Sequence, residues 1–163
     1  MELLGTHKVT FGQLRLLAIQ CHALDISAYH LLLDSTHTDG VEKTQEIFEE
    51  LFTSQLLSLA IALRTKFNQG LDHKATVPYM SCCGLLYKYK KNGKEETINF
   101  SMKDVCDKII HAERISRQLE TGVQKPTTSL LGTNNRDKSN WELSMSLSLF
   151  SEAVLNWIHS VDR

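Results

Sequence analysis

The residues most suited to chemistry sit together on Ser101-Met-Lys-Asp-Val-Cys-Asp-Lys-Ile-Ile-His-Ala-Glu-Arg-Ile115. At about 100° per residue of helix, Asp104, Lys108, His111 and Ile115 fall in one narrow arc at the border of the apolar face. An imidazole titrates near neutrality, so His111 is the candidate general acid or base, with Asp104 and Lys108 beside it as binding groups. The plainer reading of the same residues is an i, i+4 ion pair next to a packed histidine. Ser101 and Asp104 have the spacing of a capping box, which starts this helix; it is predicted to end near Gly122.

Two more charges lie on apolar stripes. Asp25 projects among Leu14, Leu17, Cys21, Ala28 and Leu32, and Arg64 among Ala60, Leu63 and Phe67. An isolated buried charge is costly, so each needs a partner, and the expectation is a structural ion pair between Asp25 and Arg64. His22 and Tyr29 lie near Asp25 on the same helix and suggest a hydrogen-bonded layer. Lys88, Lys90, Lys91 and Lys94 crowd one hairpin end near Tyr87 and Tyr89, an arrangement that could contact phosphate or RNA; Glu95 and Glu96 offset them, and the favoured reading is solvated residues that guard an edge.

Composition narrows the field of functions. The chain has 163 residues, 18 Lys and Arg against 19 Asp and Glu, and a net charge of -1, so no global field draws nucleic acid or an anionic membrane. The length suits one domain over residues 1–163. The first residues lack the pattern of a signal peptide, so a cytoplasmic protein is expected. The apolar run from Leu56 to Leu63 is too short to span a membrane. Cys21, Cys82, Cys83 and Cys106 have no zinc spacing and read as reduced, small hydrophobes, so neither metal nor cofactor is expected.

The elements that must hold these residues follow from periodicity. Apolar positions at helical spacing predict helices from Phe11 to about Leu33 and from Val41 to Phe67, separated by the polar turn Ser35 to Gly40. The middle of the second helix, Leu56 to Leu63, is apolar on most faces, which predicts burial between other elements. The pattern then changes to period 2. With Asn92-Gly93 as the turn, Tyr87 pairs with Ile98 and Leu85 with Phe100, and these four form the buried face of a hairpin. A second hairpin is predicted from Thr127 to Leu147 about the polar turn Asn134 to Asn140. A last helix starts at Ser148 with Phe150, Ala153, Val154, Trp157, Ile158 and Val161 as its stripe. The predicted class is α+β, predominantly α: a four-helix core with two β-hairpins forming a small antiparallel sheet, in the order ααββαββα.

The stretch Asp104-Val-Cys-Asp-Lys-Ile-Ile-His-Ala112 resembles the late helix of bacterial HEPN domains. The resemblance implies a four-helix core, RNA as the associated substrate class, and roles in defence or toxin-antitoxin systems. Active members carry an arginine a few residues before the histidine. Here those positions are Asp104, Val105 and Cys106, so the resemblance implies a member that binds RNA or a protein partner without cleaving. Ribonuclease activity through His111, without metal, would need Arg64 or Arg114 to stand in. A different class also fits the composition: an immunity or antitoxin protein that neutralises a protein partner through a surface patch such as Tyr87 to Lys94. Either class is compatible with a homodimer, and neither needs a membrane.

Overall fold

The structure, a computed structural model, describes residues 8–32, 41–70, 77–117 and 127–162. Four helices and five strands follow one another along the described residues. They are α1 (Phe11–Leu32), α2 (Val41–Asn68), β1 (Gly84–Lys90), β2 (Gly93–Thr97), α3 (Met102–Ile110), β3 (Arg114–Arg117), β4 (Thr128–Thr133), β5 (Asn140–Met145) and α4 (Leu147–Val161). The strands form one antiparallel sheet in the order β2-β1-β5-β4-β3. The two predicted hairpins therefore do join, through β1 and β5.

The predicted order lacks one strand. Arg114 to Arg117 reads as the continuation of the third helix, yet that helix stops at Ile110 and the segment pairs with β4, Ile115 opposite Leu130. Helix propensity is a weak prior, and four residues that complete a sheet edge over a formed core override it. Gly122, like the turn from Ser35 to Gly40, lies outside the described residues.

The first hairpin also closes differently. Lys91 and Asn92 make the turn and Lys90 pairs with Gly93, so Tyr87 faces Glu96 instead of Ile98. Gly93 carries φ of 134°, a conformation that side chains resist, which explains the glycine at the turn's exit. Leu86 (7 % exposed) points into the core and Leu85 (44 %) does not, the reverse of the predicted face. The cause is non-local: Leu86 is in register with Leu143, and Leu143 with Leu130, so one row of leucines crosses the sheet towards the helices. Along β1 alone the leucine pair allows either face.

Helices cover that inner face. α1 packs between α2 and α4, and α3 packs on α2. α1 turns Leu14, Cys21 and Ala28 inwards as its stripe predicts, with Ala18 in addition and Leu17 and Leu32 only half-buried, and α2 turns Phe48, Phe52, Leu56, Leu59 and Leu63 inwards. Phe11 and Phe67 close on Trp157 of α4, with ring centroids at 6.3 and 5.2 Å. Contrary to the burial expected of its middle, α2 leaves Leu57 and Ile61 exposed. Among the described residues, no helix is long and apolar enough to cross a membrane.

The predicted Asp25–Arg64 pair is not formed. Asp25, 1 % exposed, meets Arg117 of β3 at 2.6 Å, and its other carboxylate oxygen accepts the Ser148 amide in the first turn of α4 at 2.9 Å. Arg117 also donates to the Asp25 carbonyl at 2.5 Å and lies over the Phe52 ring. The correction has a simple source. The guanidinium that reaches Asp25 comes from the strand that was read as helix. His22 likewise leaves the expected layer and meets Glu152 of α4 at 3.1 Å.

Candidate functional site

α3 begins as its residues dictate. The Ser101 hydroxyl accepts the Asp104 amide at 3.2 Å, and the Asp104 carboxylate accepts the Ser101 amide at 2.7 Å. Met102, Val105, Cys106 and Ile109 then face the core, which leaves Asp107, Lys108 and His111 along the other side. His111 caps the C-terminus, its backbone amide donating to the Asp107 carbonyl at 3.0 Å, and its side chain is exposed.

At this end of α3 lies a cleft of about 200 Å³, lined by Asp107, Lys108 and His111 from the helix, by Thr133, Asn134 and Asn135 from the β4–β5 turn, and by Trp141 of β5. Trp141 is its floor. The indole lies flat because Gly132, its partner across the ladder, has no side chain; a Cβ there would overlap the ring. Lys108 places its ammonium 4.3 Å from the Trp141 ring centroid, and burial holds its pKa below the ordinary 10.5 against the pull of Asp104.

The carboxylates nearest the cleft already have cations. Arg64 reaches over from α2 and donates to Asp107 at 2.7 Å. Lys88, on the inner face of β1 beside Trp141, donates to Asp137 at 2.6 Å. Hydrogen bonds from Lys88 and from Ser139 hold the Asp137 carboxyl well below the usual carboxylate range. Lys108 makes no ion pair among the described residues, and the His111 ring makes no hydrogen bond among them. The result is a partly desolvated ammonium and an exposed imidazole beside two asparagines. A general base needs a partner that orients it, so the arrangement suits recognition of an anion better than proton transfer.

The sequence-derived residues divide accordingly. Lys108 and His111 meet in the cleft, and Arg64 stands at its rim. Asp104 is spent on the helix cap and does not line the cleft. Arg114 opens instead onto a neighbouring groove with Tyr89, Leu131 and Asn140. Sequence reasoning missed Asp107, Trp141 and the Asn134-Asn135 pair as site residues, and placed Lys88 at a hairpin end instead of beside the cleft. Asp107 lies on the very helix singled out, one residue before Lys108, and was available. Trp141 carried no such signal, and the basic cluster that includes Lys88 did not point to α3, since only the β1–β5 register brings the two together there. Among the described residues, no group of three His, Cys, Asp or Glu side chains is placed to hold a metal ion.

Compared with models of known protein families, with curated proteins and with solved structures, the chain matches none.

Proposed function

We propose that the chain is a non-catalytic binding protein that takes an anionic group, a phosphate of single-stranded RNA, in the cleft at the end of α3. One observation carries the reading: Lys108 is half-buried over Trp141 with no carboxylate among the described residues in ion-pair contact with it, while Asp107 and Asp137 are matched by Arg64 and Lys88. A desolvated, unpaired cation costs free energy in the empty protein, and a bound anion returns it. RNA as the source of that anion rests on the HEPN resemblance of α3, as does a place in bacterial defence and in the cytoplasm. Cleavage is not part of the reading. Arg64 is held by Asp107, and Arg114 faces another groove.

The test is a titration of the full chain with a labelled single-stranded oligoribonucleotide at several salt concentrations. Lys108→Gln should weaken binding about tenfold and remove about one phosphate contact from the salt slope, and His111→Ala should do less. Equal affinity of wild type and Lys108→Gln would sink the proposal. A second reading, neutralisation of a protein partner, is favoured by the exposed Leu85, Tyr89 and Ile98 on the hairpin side. A stoichiometric protein and no RNA on the chain purified from its own host would select it.

A further inference from the structure

We infer that the chain forms a two-fold homodimer through the outer faces of α1 and α2. Each of these helices carries large apolar residues on the side turned away from its core. On α1 the outward positions are Leu16, Ile19, Ala23, Ile26 and His30, and on α2 they are Ile47, Leu51, Ser54, Ser58, Ile61 and Thr65. Both sets advance by alternating steps of three and four, the spacing of a seam that packs against another helix. On α1 the seam projects opposite Leu14, Ala18 and Cys21, and on α2 opposite Leu56, Leu59 and Leu63.

The two seams form one surface. α1 and α2 run antiparallel in contact, because the Val9 amide donates to Gln69 and Lys66 lies over the Phe11 ring. Leu16 therefore neighbours Ile61, Ala23 neighbours Ser54, and His30 neighbours Ile47. Seven leucines and isoleucines of this face, with Leu57 the seventh, are each 38–63 % exposed. Their combined exposure is several hundred Å², more than a monomer ordinarily leaves in one patch and near the ~800 Å² per partner of a standard interface.

The occupant that fits is a second copy. The surface is bulky at both ends and small in the middle, at Ala23 and Ser54, so a copy crossing there can approach closely. α2 carries Glu46, Glu49 and Glu50 in its first half and Arg64 and Lys66 near its end. Arg64 and Lys66 are engaged within the chain, by Asp107 and by the Val9 carbonyl, so the acidic half sets the arrangement: a two-fold axis across α2, with Ser54 facing Ser54 of the other copy, keeps the two acidic halves apart and sets Ile47 of each chain against Ile61 of its partner. The same glutamates disfavour an anionic lipid surface, which calls for Lys and Arg around the apolar face.

Sedimentation velocity of the full chain tests this. The wild type should sediment at twice the 18.5 kDa chain mass, and the Ile19→Glu/Ile61→Glu variant at the mass of one chain. Should the glutamates impair folding, Ser54→Cys in a Cys82→Ser background decides, because mild oxidation should link it to its own copy. Lys94→Cys, on the sheet, should not link. A monomeric wild type, whatever else it captures, overturns the inference. A dimer untouched by the glutamates, or the absence of a Ser54→Cys crosslink, overturns it equally.

Discussion

Asp25 and Lys108 are both charges taken from water, and the molecule treats them oppositely. Around Asp25 the charge is answered: Arg117 pairs with the carboxylate, the first turn of α4 supplies an amide, and the same guanidinium ties down the Asp25 carbonyl. Burial lowers the Arg117 pKa, and Asp25 opposes that shift. Around Lys108 the aromatic face of Trp141 is the close partner, burial lowers its pKa against the pull of Asp104, and no carboxylate among the described residues is in ion-pair contact with it. A satisfied charge ties three elements together and leaves nothing for a ligand. An unsatisfied one, at an open cleft, is held ready for one. The difference separates a structural ion pair from a binding site more clearly than residue type does.

The largest effect should come from breaking the satisfied pair. Arg117→Ala strands the Asp25 carboxylate and should cost ~3–5 kcal/mol in urea denaturation. Asp25→Ala should cost a comparable amount. The double variant should lose less than the two single losses summed, and strict additivity would show that the two do not act as a pair. Gly132→Ala comes next. The new Cβ must displace the Trp141 ring, costing ~1–3 kcal/mol and removing the floor on which Lys108 rests. Unchanged near-ultraviolet circular dichroism in that variant would show that the indole had not moved.

Lys108→Met should be the mirror of Arg117→Ala: stability within ~1 kcal/mol of wild type, or higher, with RNA affinity lowered about tenfold. Because the charged form of Lys108 is the disfavoured one in the folded state, wild-type stability relative to Lys108→Met should rise as pH climbs through the depressed pKa and level off above 10.5. Anion binding favours the charged form, so affinity should fall over that same window. A flat difference between the two proteins across it would remove the desolvation argument. His22→Ala, which breaks a half-exposed contact with Glu152, should change stability by less than ~1 kcal/mol.

How much of this could be read in the chain depends on the range of the interaction involved. The capping box at Ser101 and the core stripes of α1, α2 and α4 were legible because helical periodicity is local. So was the turn from Asn134 to Asn140. β3 was not, since Arg-Ile-Ser-Arg becomes a strand only by pairing with β4. With β3 went the true partner of Asp25. The binding site was half legible: Lys108 and His111 are helix neighbours, but Trp141 and Lys88 enter only through the β1–β5 register. The apolar middle of α2 was recognised as calling for burial, and a single chain leaves its outer side open.

The amino-acid sequence by itself determined where α1, α2 and α4 form, which side each of them buries, how α3 begins, and that His111 and Lys108 share a side. Those properties rest on contacts three and four residues apart. Tertiary structure decided which face of β1 turns inwards, which arginine answers Asp25, and which charges near the cleft are cancelled and which is not. Each of those depends on residues distant along the chain, whose meeting is settled by the register of the sheet and the packing of the helices on it.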